Sequence, residues 1–252
     1  MSAQDMIEVP ILSQAQRPTQ SLVLRPYQEE CVQACLKALY AGRSRIAVSL
    51  PTGSGKTVVY SVLLSRIPPP VDRPSATRAL VVVGSVEIAR QTVKLLNRLF
   101  PKWSVEIEQG TNRASGHADV TIAMYQSLVH SDMHRLEKYN PRFYKAIVVD
   151  EAHHAATDSY LNILSKFHKD IEGRHSEAPY EIPILGFSAT LMRSDQRSLR
   201  SIFSETVFDA PLVDLIQQGW YARVLAHDGD YLRVCLQGYA TSVAQLSSGH
   251  SS

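Results

Sequence analysis

Ser49–Tyr60 reads SLPTGSGKTVVY, a short apolar run that breaks into Pro51-Thr52-Gly53-Ser54-Gly55-Lys56-Thr57 and then turns apolar again. Arg45–Leu50 (RIAVSL) before it has the composition of a buried strand. KTVVYSVLLSRI after it reads as a helix that Pro68, Pro69 and Pro70 end. A glycine-rich turn between strand and helix is a phosphate cradle. Glycines let successive backbone N–H groups point inward around phosphate oxygens, and the helix start adds its positive end. Thr52, Gly53, Ser54 and Gly55 form this turn; Lys56 is placed for the β- and γ-phosphates and Thr57 for a magnesium ion. The strict form of the pattern has glycine where this chain has Leu50, so the looser form applies.

Outward from the cradle, strand and helix patterns alternate. Upstream, a helix pattern from Pro26 puts Val32, Cys35, Leu36 and Leu39 on one face and stops at Gly42. Downstream come ALVVVG (79–84), the amphipathic VEIARQTVKLLNRLF (86–100), then WSVEIE and DVTIAM as strands. YKAIVVD (144–150) is a continuous apolar strand ending on an acid, SYLNILSKF is helical, and IPILGFSAT is a last core strand. This alternation predicts an α/β fold, a doubly wound, mainly parallel sheet with helices on both faces. Residues 1–21 read as a flexible leader, 22–225 as the domain, and 226–252 as a serine- and glycine-rich tail without pattern.

Asp150 leaves its strand at the carboxyl end, where open α/β sheets bind ligands. An acid there suits a magnesium ion held through water, and Glu151 beside it suits orienting and deprotonating an attacking water. His153 and His154 lack the i, i+4 spacing of a helical zinc site.

Composition narrows the partners. The chain has 252 residues, 44% hydrophobic, with a formal net charge of +2, so any contact with a polyanion has to be local. No apolar stretch approaches a membrane span. Three cysteines, Cys31, Cys35 and Cys235, form no metal pattern, and their odd number without a secretory signal points to a reducing, intracellular compartment. The leader sets Asp5 and Glu8 against Arg17 alone, unlike an arginine-rich mitochondrial presequence. Trp103 and Trp220 read as packing residues, and His168 and His175 as members of a polar helix-to-loop stretch.

PTGSGKT, DEAHH and SAT (188–190), in that order, resemble motifs I, II and III of superfamily-two helicases and translocases, whose first motor domain is a RecA-like P-loop unit. LRPYQEECV resembles the segment in which an arginine and a glutamine contact adenine, here Arg25 and Gln28. SATLMRSD and FDAPLVDLIQQGWYARV resemble the end of that domain in relatives of the type III restriction subunit, and DEAHHA with GFSATLMR resembles the fungal mitochondrial branched-DNA helicase group. The resemblance implies ATP and Mg²⁺ as cofactors, with Lys56, Asp150 and Glu151 in catalysis and Thr57 and Asp150 at the metal. It implies His153, Ser188 and Thr190 as couplers of the two sites. It also implies nucleic acid, DNA before RNA, near Ser85, Tyr125, Gln126 and Ser127; the first strand-contacting motif departs from the family's form, which has His or Arg near Ser85. A mitochondrial or nuclear placement follows from the likeness alone.

Such motors close ATP between two RecA-like domains, the second supplying arginines from a QxxGRxxR-like segment. None follows Thr190: Arg193, Arg197, Arg200, Arg223 and Arg233 are all outside that context. Roughly sixty residues follow Thr190, whereas a second domain needs about a hundred. An absent arginine finger costs roughly 10³–10⁵ in rate. The expectation is therefore half a motor, which binds ATP, hydrolyses it poorly and relies on a second motor domain supplied elsewhere. The alternative is a one-domain remnant that binds ATP or nucleic acid and modulates a complete helicase. An unrelated P-loop ATPase or kinase fits least, having no use for DEAHH followed by SAT.

Overall fold

A computed structural model describes residues 22–129, 135–173, 179–189, 199–220, 223–228 and 231–235. The chain divides into two units, Met1–Asp209 and Ala210–Ser252.

In the first unit the elements run α1 (Pro26–Tyr40), β1 (Arg45–Ser49), α2 (Lys56–Arg66), β2 (Arg78–Val83), α3 (Val86–Leu99), β3 (Val105–Glu108), β4 (Val120–Met124), α4 (Tyr125–Val129), β5 (Tyr144–Asp150), α5 (Asp158–Leu164), β6 (Ile184–Ser188) and β7 (Glu205–Asp209). The strands form one seven-stranded sheet in the order β3-β4-β2-β5-β6-β1-β7, and every pairing is parallel. Successive side chains of a strand point to opposite faces, yet β5 and β6 are buried at every position. Both faces of the sheet centre are therefore covered, as parallel sheets require. The edge strands β3 and β7 are only partly buried.

This order places the tips of β5, β6 and β1 side by side at the carboxyl edge. Asp150 pairs with Phe187, and Ser49 with Ser188. The cradle and the acid pair are thus one strand apart.

Other groups are buried elsewhere in the first unit. Cys31 and Cys35 are fully buried on α1, as free thiols commonly are. Lys145, also buried, donates to the carbonyls of Leu64 at 2.8 Å and Ile67 at 3.0 Å, satisfying orphan acceptors at the end of α2. Burial lowers its ammonium to about 8.

Three features differ from the sequence expectation. His168 is fully buried rather than part of a polar surface stretch, because its Nε2 lies 2.8 Å from the Ser44 hydroxyl and its Nδ1 accepts from Asp170 N. Glu108, on the nominally polar side of WSVEIE, is completely buried. Its carboxylate accepts from Arg135 at 2.8 Å, Tyr139 at 2.9 Å, the Ala114 amide at 3.1 Å, and Lys138. In the second unit, α6 (Leu212–Gln217) precedes an antiparallel pair, β8 (Arg223–Asp228) with β9 (Tyr231–Cys235). That ladder continues past Ala226, where the sequence suggested a patternless tail. Trp103 packs on Phe100 with ring centroids 4.2 Å apart. The leader, His175, Thr190, Arg193 and Arg197 lie outside the described residues. Among the described residues no helix is long and apolar enough to cross a membrane.

Candidate nucleotide site

Gly53 and Gly55 both adopt positive φ, 85° and 83°, a conformation glycine alone takes at little cost. A Cβ on Gly55 would also meet Gln28 Nε2 at 2.6 Å, so the loop has two reasons to need glycine there. From the other side α1 braces the loop. The Ser54 carbonyl accepts from the Tyr27 hydroxyl at 2.7 Å and from Gln28 Nε2 at 2.8 Å. The Ser54 hydroxyl closes the turn onto Pro51 O at 2.7 Å.

Gln28 is thereby committed at both ends, since its Oε1 accepts from the Arg25 amide at 3.0 Å. It is a strut of the cradle, and these two bonds use only half of what a carboxamide can donate and accept. Arg25 stays exposed, its guanidinium 3.4 Å from the Tyr27 hydroxyl. Lys56 is buried, and its ammonium has a long bond of 3.3 Å to Leu50 O. Thr52 is exposed at the loop tip.

At the tip of β5, Asp150 is 4% exposed. Its Oδ1 accepts from the Glu151 amide at 3.0 Å, and Oδ2 faces the Tyr60 hydroxyl at 3.5 Å. Burial, then repulsion from Glu151, pushes its carboxyl up to about 6, and Lys56 partly offsets both. Lys56 is thus close enough to act electrostatically on Asp150. Glu151 has φ 55°, the only positive φ of a non-glycine among the described residues. A left-handed conformation at a residue with a Cβ is the kind of strain found where function over-determines backbone.

His153 links the strands. Its Nδ1 lies 3.0 Å from the Ser188 hydroxyl on β6 and 3.3 Å from Glu151 Oε2. Burial and the neighbouring His154 lower its pKa, whereas the Glu151 carboxylate raises it. Ser188 is fully buried.

The strand-contacting candidates divide. A cleft of about 310 Å³ is lined by Gly84, Ser85, Ile88, Tyr125, Glu151 and Tyr160, among others. Ser85 caps α3 there by accepting from the Ile88 amide at 3.2 Å, and Tyr125 packs on Tyr160 at 4.9 Å. Gln126 is exposed and bonds Gly84 O at 3.4 Å. Ser127 instead accepts from the Gly110 amide at 3.2 Å, a contact to the loop after β3. Sequence reasoning missed Tyr27 and Tyr60. The signal for Tyr60 was its place one helical turn after Lys56.

A family profile described as "Type III restriction enzyme, res subunit" matches residues 21–193. The chain belongs to this family. As a res-subunit relative it is 42% identical over 200 residues to "Putative mitochondrial ATP-dependent helicase irc3" of Schizosaccharomyces pombe, covering 79% of this chain and 31% of that one. It is 35% identical over 201 residues to "Putative ATP-dependent helicase IRC3" of Saccharomyces cerevisiae, covering 79% and 28%. The chain therefore spans less than a third of either relative. Among solved structures, a fragment of a putative HsdR subunit of a type I restriction enzyme from Vibrio vulnificus YJ016 superposes with TM-score 0.58 at 19% identity, over 81% of this chain and 33% of that one. The fold is that of a RecA-like superfamily-two motor domain.

In this res-subunit domain the donors suit a hard cation. A threonine hydroxyl and one carboxylate are oxygen ligands, which magnesium takes together with substrate phosphates rather than in an all-protein cage. Among the described residues no group of three or more His, Cys, Asp or Glu could hold a metal by itself.

The raised carboxyl of Asp150 has a measurable consequence. A folded-state pKa of about 6 above an ordinary 3.8 means the folded chain binds the extra proton between those values. The stabilisation is full below pH 4 and is lost as pH rises through 6, by about 3 kcal/mol in total. Asp150→Asn carries no charge to bury. The variant is expected to unfold at higher temperature than the parent at pH 7 and to lose that advantage at pH 4.5, as read by thermal melts without nucleotide. A variant less stable at pH 7 would contradict the burial cost.

Proposed function

We propose that this chain is the ATP-binding first motor unit of an ATP-dependent nucleic-acid helicase or translocase acting on DNA. The observation carrying this reading is the meeting of a glycine cradle, buried Lys56 and the Asp150–Glu151 pair at one sheet edge. Glu151 there shares a cleft with Ser85 and Tyr125. The family's restriction-enzyme membership favours DNA over RNA, and the Schizosaccharomyces pombe relative, named mitochondrial, favours that compartment.

In this reading the cradle amides and Lys56 would hold the phosphates, while Thr57 and Asp150 would hold magnesium. Bound magnesium would offset charge on the β- and γ-phosphate oxygens. Glu151 orients a water and takes its proton; its contact with His153 sets where the carboxylate rests. His153 and Ser188 tie Glu151 to β6, so that a strand settling against Ser85 and Tyr125 can alter the acid's position. Arginines from a second motor domain complete the transition state.

The test is ATP turnover by the chain, with and without single-stranded DNA and with and without an added second motor domain. Turnover alone is expected to be slow, and DNA with the second domain to raise it by roughly 10³ or more. Glu151→Gln should keep nucleotide affinity and remove hydrolysis under every condition. Normal turnover in that variant, or strong stimulation by DNA without the second domain, would overturn the assignment.

A further inference from the structure

Tyr60 is fully buried on α2. Its hydroxyl lies 3.1 Å from the Thr92 hydroxyl of α3 and 3.5 Å from Asp150 Oδ2 at the tip of β5. Its ring meets Phe187 of β6 edge-on with centroids 5.5 Å apart, which holds the phenol in place. The phenol has a single proton to give. A carboxylate is the stronger acceptor, so the consistent arrangement has Thr92 donating to Tyr60 and Tyr60 donating to Asp150. The other carboxylate oxygen already takes the Glu151 amide.

We propose that Tyr60 is a positioning residue for Asp150: through its hydroxyl, fixed by Thr92, it sets the carboxylate that holds the cation and ties α3 to the nucleotide site. This rests on the reading of Asp150 given above. Metal-holding groups are commonly oriented by such outer partners, and removing one costs roughly tenfold to a hundredfold in metal affinity. α3 also begins at Ser85 in the cleft. A shift of that helix therefore has a short polar route to Asp150.

The plainer alternative is a core tyrosine whose hydroxyl merely satisfies Thr92. Two variants separate the two roles. Tyr60→Phe keeps the ring but strands the buried Thr92 hydroxyl; combining it with Thr92→Val removes both polar groups and relieves that cost. Binding of Mn²⁺ to the full chain with ADP, read by electron paramagnetic resonance, is compared with ADP affinity in chelator and with thermal stability. Both variants are expected to lose roughly tenfold or more in Mn²⁺ affinity. ADP affinity in chelator should be unchanged, and the double variant should regain stability. Wild-type Mn²⁺ affinity in the double variant would overturn the proposal. If Asp150→Asn removes the Mn²⁺ contribution while the Tyr60 variants keep it, this inference alone fails. If the parent chain shows no Mn²⁺ contribution, the cation reading of Asp150 fails with it.

Discussion

Lys56→Ala is expected to weaken ATP binding by roughly 100-fold, the equivalent of one to two charge-assisted hydrogen bonds. The ammonium is buried at the start of α2 and has one long bond, to Leu50 O. It therefore gives up little to reach a phosphate, and no other described lysine or arginine lies in the cradle loop. The loop should survive the change, because Tyr27 and Gln28 hold Ser54 independently of the lysine. Titration with a fluorescent ATP analogue checks the prediction, with a thermal melt as the folding control. Affinity within about threefold of the parent would show that the backbone amides do the binding and that Lys56 is bystander charge.

Glu108→Ala should be the most destabilising single change at any ionisable residue outside the nucleotide site. The carboxylate is wholly buried and serves Arg135, itself 6% exposed, together with Lys138, Tyr139 and the Ala114 amide. Arg135 and Lys138 also donate to Gly110 O and Ala114 O, both at 2.6 Å. One acid thus pins the loop after β3 against the segment that follows α4. Removing one partner of a buried pair costs about 3–5 kcal/mol, because the stranded guanidinium has no water to return to. For a domain this size that is a fall in melting temperature of roughly 10 °C. Calorimetry checks it. A fall of only about 2 °C would mean that water replaces the carboxylate and that the cluster is less dry than its burial implies.

The alternation of apolar runs with amphipathic helices was enough to predict the parallel sheet. Fully buried strands have to be apolar on both faces, and β2, β5 and β6 are. The cradle was legible for a similar reason: two positive-φ turns beside a helix start leave few choices but glycine. Local chemistry written in consecutive residues can be read without a structure.

Glu108 shows where such reading stops. Alternation in WSVEIE placed it on a polar face, and whether that face meets solvent depends on Arg135, Lys138 and Tyr139, roughly thirty residues later. His168 went the same way, buried by Ser44 from the far end of the domain. Gln28 was assigned to adenine by resemblance, and only the structure shows that its carboxamide also braces Ser54 and the Arg25 amide. Tyr60 looked like one more apolar helix residue until β5 and α3 were brought to it. Sequence alone determined the elements from α1 to β6, the parallel sheet and the phosphate loop, because backbone conformation and hydrophobic period act over a few residues. Only the tertiary structure decided which buried polar groups became partners, because a hydrogen bond in the core depends on distance in space, and strands far apart in the chain set that distance.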